Sequence, residues 1–339
     1  MVDTLYIEKA VASHSRTQSV IARYPKANQI LIDRYGEVFN SHNQNFRIQK
    51  NNPCLILAEK RNKKVISTPQ QYETGGAANY YFSHMLNCVY DCRYCFLQGM
   101  LPSANYLLFV NYEDFVKDIK DVANKHINDS KPVWFFSGYD CDSLAYEPVT
   151  HFAEYFIPAF ADIPNSVLEL RTKSTQVRSL LNQEAISNVV IASSLSPESV
   201  ANELEIGAPP LHKRLDALAK LQKAGWRIGL RFDPVIWHKD YQQDYQNMIE
   251  LVFRILDADK IDSLTLGGFR LPRDHYKTMA KLYPEHWLFS AGLTEQQGMI
   301  TYRQEIEQKV LSSVQQMSEA WVPPEKLFVY PTFSTTVNA

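Results

Sequence analysis

From about residue 80 onward, short apolar runs alternate with longer stretches whose apolar residues recur three and four positions apart. The runs read as buried strands: Tyr80–Met85, Val133–Ser137, Val167–Thr172, Val189–Ser194, Arg227–Phe232 and Leu264–Phe269. A continuous apolar run between turn signals is what a strand covered on both faces requires. Between the runs, Asp114–His126 and Leu211–Lys223 carry helical periodicity. In the second, Leu211, Leu215, Leu218 and Leu221 form one stripe, Pro209 and Pro210 mark the start, and Gly225 follows the end. Strand–helix repetition implies parallel strands joined by helical crossovers. Six such units predict an α/β fold, a partial (β/α)6 TIM-like barrel, with its chemistry at the carboxyl ends of the strands.

Residues 1–75 have a different pattern. They predict a helix around Gln18–Tyr24, a strand at Gln29–Asp33, and a hairpin of Leu55–Glu59 with Val65–Thr68. The hairpin tip, Lys60-Arg61-Asn62-Lys63-Lys64, is basic. A charge run at a tip is most often simply solvated, with a binding role as the alternative reading. Gly75-Gly76-Ala77-Ala78 marks a boundary. It divides an N-terminal α+β appendage, 1–75, from a barrel with a C-terminal extension, 76–339. No repeat of solenoid length is present.

A chain of 339 residues that is 45% hydrophobic can build one large domain with such an appendage. No run approaches about eighteen apolar residues, so no membrane span or membrane partner is expected. Met1–Lys9 lacks a basic stretch followed by an apolar one, so no signal peptide is expected and the protein is placed in the cytoplasm. The formal net charge of −2 argues against a general nucleic-acid binder and leaves room for a local basic groove. Three of the five cysteines are clustered, which fits a reducing compartment and a metal site better than a disulfide framework.

Those three form Cys88-Val89-Tyr90-Asp91-Cys92-Arg93-Tyr94-Cys95. Three thiolates can hold three corners of a cubane iron–sulfur cluster and leave one iron open for a substrate or cofactor. Spacing alone leaves two other readings: a Cys3His zinc site completed by His84, and an electron-transfer cluster closed by Cys54 or Cys141. The context favours the open cluster. The cysteines follow the strand Tyr80–Met85 and run into a helix-like segment, Phe96–Leu101, on the first strand-to-helix loop. A chain with a full α/β core has less need of a structural metal.

This spacing in this setting resembles the radical S-adenosylmethionine (SAM) superfamily. Further blocks resemble the spore photoproduct lyase family of DNA repair enzymes: Cys88–Leu97, Leu168-Glu169-Leu170-Arg171-Thr172-Lys173, Pro210–Gly225 and Phe269-Arg270-Leu271-Pro272. The similarity covers roughly residues 75–330. It implies a [4Fe–4S] cluster on Cys88, Cys92 and Cys95, with S-adenosyl-L-methionine chelating the open iron and yielding a 5′-deoxyadenosyl radical. It also implies a pyrimidine dimer lesion in DNA as substrate and an electron donor such as a flavodoxin or ferredoxin. Matched residue by residue, Tyr94 packs near the adenine, Lys173 pairs with the SAM carboxylate, and Ser194 lies near the amino acid or ribose. Ser196 stands where the family tends to have asparagine. Arg231 and Asp233 end the fifth strand, with mutual pairing favoured over a place in the site.

Three departures from the family pattern stand out. Tyr139 occupies the position of the family's hydrogen-donating cysteine, and Cys141 follows two residues later. In an extended segment both would point to one side, displaced by about two strand rises of roughly 3.3 Å. Both are therefore candidate hydrogen donors. Phe96 replaces a tyrosine thought to relay hydrogen to deoxyadenosine. Glu295, in Thr294-Glu295-Gln296-Gln297-Gly298, would repel phosphate where the family places basic and aromatic residues. A radical SAM enzyme with a non-DNA substrate is thus one alternative, and a non-catalytic zinc module the other.

Overall fold

The computed structural model describes residues 2–42, 44–68, 76–290 and 292–332. By its internal contacts the chain divides into two units, Met1–Val89 with Met100–Val190, and Tyr90–Gly99 with Ile191–Ala339. Residue 75, the expected end of the appendage, lies outside the described residues.

In the first unit, Leu55–Ala58 is apolar at every position and buried at all four. A strand that is apolar on both faces belongs inside a parallel sheet rather than in a half-solvated hairpin. It pairs in parallel with Thr4–Glu8 on one side and Tyr106–Phe109 on the other. Asn28–Ile32 continues the sheet beyond Thr4–Glu8, and Met85–Leu86 closes the opposite edge antiparallel to Tyr106–Phe109. The expected hairpin is therefore corrected: Val65–Ser67 pairs instead with Asn79–Phe82.

The expected strand Tyr80–Met85 is likewise two strands in two sheets, Asn79–Phe82 and Met85–Leu86. Ser83 and His84 break it, because both are buried polar groups with sideways partners. Ser83 donates to Asp140 at 2.7 Å, and the His84 ring stacks on Phe152 at 3.8 Å. Asn79–Phe82 runs parallel to Val133–Ser137, which runs parallel to Ser166–Thr172. The helices Tyr112–Lys125 and Phe152–Ala161 make the crossovers. Phe82, Tyr112, Phe152 and Phe156 fill the space between, with ring centroids 4.6–6.1 Å apart where they touch.

In the second unit, Arg227–Val235 pairs in parallel with Ile261–Gly268, and the latter with Leu327–Tyr330. Val189–Ser194 lies on the other side of Arg227–Val235. The helix Leu211–Lys223 has the bounds its stripe and flanking residues predict, and Tyr241–Ile255 supplies the next crossover. A three-stranded antiparallel sheet follows, with Met299–Tyr302 between Arg270–Pro272 and Leu293–Gln296. No helix among the described residues is long and apolar enough to cross a membrane.

Gly267, next to last in Ile261–Gly268, is crowded by the groups around it. A Cβ there would lie 2.4 Å from Asp233 Oδ1 and 3.0 Å from an Arg270 guanidinium nitrogen. Gly267→Ala is expected to push this ion pair apart and cost about 1–3 kcal/mol, read as a lower urea midpoint. An unchanged midpoint would show that the crowding is easily relieved.

Candidate active site

The cysteine loop leaves the first unit after Val89, so Cys88 belongs to the first unit and Cys92 and Cys95 to the second. In the second unit its backbone is tightly held. Asp91–Cys92 forms a short antiparallel ladder with Glu205–Ile206, Cys92 opposite Glu205. The Arg93 N–H donates to Leu204 O at 2.7 Å. The Cys92 carbonyl accepts from the Cys95 N–H at 3.0 Å and from Gln98 Nε2 at 2.6 Å. Tyr283 donates in turn to Gln98 Oε1, and the Arg93 guanidinium sits 4.4 Å over the Tyr283 ring. Cys92 and Tyr94 are buried and Cys95 is half-buried.

Tyr94 points at a carboxylate. Its hydroxyl donates to Glu205 Oε1, which also accepts from Ser196 Oγ at 3.0 Å. Arg214 donates to Glu205 Oε2, to Ser194 O at 3.1 Å and to Pro209 O at 2.6 Å. The Glu205 and Arg214 side chains are 0% and 1% exposed. A buried pair of this kind is tolerated only when hydrogen bonds satisfy both partners. Burial, reinforced by the Glu205 carboxylate, pushes the Tyr94 phenol well above its ordinary range, so it remains an O–H donor. Ser194 ends its strand, buried, with its carbonyl engaged by Arg214.

In the first unit, Asn87 takes a left-handed conformation (φ 70°) and its side-chain amide donates to Ser103 O and Asn105 O, both at 2.7 Å. This fixes the turn into Cys88, whose carbonyl accepts from Lys50 Nζ. Cys141 is buried, with Sγ 4.0 Å from His84 Nδ1. Burial is the main cause that pushes its thiol well up, with a smaller contribution from Cys88. Burial also pushes the His84 imidazole down to about 3, so it is neutral.

Tyr139 stacks on Tyr81 with ring centroids 4.4 Å apart and is half-exposed. The expectation that Tyr139 and Cys141 share one side rested on an extended segment, and this segment is not extended. Gly138 adopts φ +90° and the chain bends through residues 139–141. A Cβ at Gly138 would lie 2.6 Å from Arg171 O, so glycine is required there for space as well as conformation. Asp142 ends the bend. It accepts from the Leu144 and Ala145 N–H groups, from Thr172 Oγ1 at 2.6 Å and from the Lys173 N–H at 2.6 Å. Lys173 is thereby anchored just past the carboxyl end of Ser166–Thr172.

Other expectations fare differently. Asp233 faces Arg270 at 3.4 Å, while Arg231 donates to Leu230 O and to Ser263. Phe96 stacks on His275 at 6.4 Å. Glu295 is ion-paired with Arg273 at 3.3 Å, so the acid on this hairpin is neutralised locally. Glu205 and Arg214 are missing from the residues the sequence singles out. The usable signal was Arg214, which falls on the apolar stripe between Leu211 and Leu215.

Among the described residues no three His, Cys, Asp or Glu side chains already converge to enclose a metal ion. What fits an iron–sulfur cluster is the donor chemistry, three thiols on one short loop. The zinc alternative fits less well, because His84 is packed flat on Phe152 with Nδ1 towards Cys141.

A family model described as spore photoproduct lyase matches residues 1–302. A curated relative of that name from Bacillus subtilis (strain 168) is 25% identical over 250 residues, 72% of this chain and 70% of the relative. Another, from Geobacillus sp. (strain Y412MC61), is 26% identical over 214 residues, 62% of each. Among solved structures, a cysteine-to-serine mutant of spore photoproduct lyase matches with a TM-score of 0.84 at 19% identity, over 98% of this chain and 99% of that one. A double mutant with bound AdoMet and dinucleoside spore photoproduct gives 0.83 at 18% identity, over 97% and 98%. The fold is shared along nearly the whole length.

Proposed function

The chain belongs to the spore photoproduct lyase family, and on that premise we propose that it is a radical SAM enzyme that cleaves the carbon–carbon bridge of spore photoproduct in DNA. The cluster ligands are Cys88, Cys92 and Cys95. When bound, the [4Fe–4S] cluster and SAM supply a 5′-deoxyadenosyl radical that takes hydrogen from the substrate, chemistry that belongs to the cofactors. The chain's own residues bind and orient. Lys173 offers a cation to the SAM carboxylate, Tyr94 packs near the adenine, and Ser194 lies near the amino acid or ribose. Cys141 keeps its S–H because burial disfavours the thiolate, and Tyr139 offers a half-exposed phenol. Both are candidate hydrogen donors to a product radical. The electron donor is of the flavodoxin or ferredoxin type, and the compartment is the cytoplasm, in keeping with clustered cysteines in a reducing setting.

The observation that carries this reading is the family match across the segment holding the three cysteines. The test is anaerobic. Reduced protein with SAM and dinucleoside spore photoproduct is expected to release the repaired dithymidine. Deoxyadenosine formed without lesion reversal would remove the repair assignment and leave a radical SAM enzyme with another substrate. Colourless protein carrying zinc would remove both.

The Arg273–Glu295 pair gives a prediction about DNA. The pair is about half exposed on each side, so it stabilises the fold little. Glu295→Gln is expected to tighten binding to duplex DNA by a few-fold at low salt and to steepen the salt dependence, because it removes a negative charge from the hairpin and leaves Arg273 with Asp274 alone, 3.8 Å away, to compete with a phosphate. Fluorescence anisotropy measures both, and an unchanged salt slope would place the hairpin away from the DNA.

A further inference from the structure

We propose that Glu205 is a positioning residue for SAM, acting through Tyr94 and Ser194. This rests on the radical SAM reading above and adds a role for a residue outside the cluster and SAM residues assigned there. The case comes from the geometry of one carboxylate. Oε1 accepts the Tyr94 hydroxyl and Ser196 Oγ, and Oε2 accepts from Arg214. Arg214 in turn holds the Ser194 carbonyl at 3.1 Å. The two second-unit residues assigned to SAM, one on the cysteine loop and one at a strand end, are thus tied to a single point. The same residue tethers the loop a second way, since its backbone forms the ladder opposite Cys92.

Stability alone does not account for this arrangement. A buried ion pair is commonly no better for stability than apolar side chains of similar volume, so a buried Glu–Arg pair whose arginine lies on an apolar stripe points to a role in specifying geometry. Sites that must hold a cofactor to within a fraction of an ångström depend on supporting residues whose own rotamers are locked by hydrogen bonds. Glu205 locks Tyr94 in this manner. Its two oxygens receive three side-chain donors in a space that solvent does not reach.

The experiment compares cluster-loaded wild type with Tyr94→Phe and Glu205→Gln. Tyr94→Phe deletes only the hydroxyl and leaves Glu205 bound to Arg214 and Ser196, so it tests the idea even if Glu205→Gln folds poorly. Three quantities are read: iron per chain, SAM affinity by equilibrium dialysis, and the change in the reduced cluster's EPR signal when SAM is added. Both variants are expected to keep wild-type iron, bind SAM at least tenfold more weakly, and show an altered SAM-induced EPR change. Wild-type affinity and EPR response in Tyr94→Phe would overturn the proposal, whether or not Glu205→Gln retains iron. Wild-type protein that holds iron but binds no SAM would overturn this proposal and the parent reading together, so the two failures are distinct.

Discussion

Anaerobically purified Cys92→Ala protein is expected to lose its iron and to form no 5′-deoxyadenosine. Removing a hydrogen-bond partner behind a metal ligand typically costs 10–100-fold in affinity, so losing a ligand itself should cost at least about that much. The loop backbone is held by the ladder to Glu205–Ile206 and by Gln98, so another donor cannot swing in without breaking those bonds. His84 is committed to its stack on Phe152. Cys54→Ser is the control, since its thiol is half-buried beside Thr4 and lies outside the loop. Iron and sulfide assays with product chromatography decide the matter, and full iron with normal deoxyadenosine in Cys92→Ala would remove the ligand assignment.

Glu205→Ala is expected to cost about 3–5 kcal/mol, because it strands the Arg214 guanidinium at 1% exposure without its counter-charge. Set against a usual total of roughly 5–15 kcal/mol, that is a severe loss. Adding Arg214→Leu should recover part of it, since the unpaired charge goes. It should not recover all, because Tyr94 and Ser196 still lack their acceptor and Ser194 O and Pro209 O lose a donor, each buried group worth about 1–3 kcal/mol. Denaturant unfolding of the cluster-free protein measures both steps. A single-variant loss under about 1 kcal/mol would mean that water reaches the pair.

The parallel strands were readable because burial on both faces leaves a plain mark, an unbroken apolar run. Val133–Ser137 and Val189–Ser194 have the bounds their runs suggest. Pairing was less readable than existence. Leu55–Ala58 and Val65–Ser67 are close in sequence with a basic link, which is how a hairpin looks, yet each joins a different sheet. Local pattern states that a strand is buried but does not name its neighbours. The break at Ser83 and His84 was hidden for a related reason, since its partners Asp140 and Phe152 lie far along the chain. At the site, the cysteines were visible because three identical ligand types in eight residues are rare. Glu205 was not, because its role depends on Tyr94, Ser196 and Arg214 meeting it in space. Glu295 carried the right charge, but its neutralising partner Arg273 lies on another element.

The strand Leu55–Ala58 has a consequence for how the chain comes off the ribosome. Its neighbour Thr4–Glu8 is made before it, but its other neighbour, Tyr106–Phe109, is made well after it. Until that later segment emerges, the nascent protein presents a bare strand edge of four apolar residues, the kind of template on which unfinished chains stick to one another. Expression at low temperature, or with a holdase chaperone supplied, should therefore raise the yield of soluble protein more than any change at the cysteine loop.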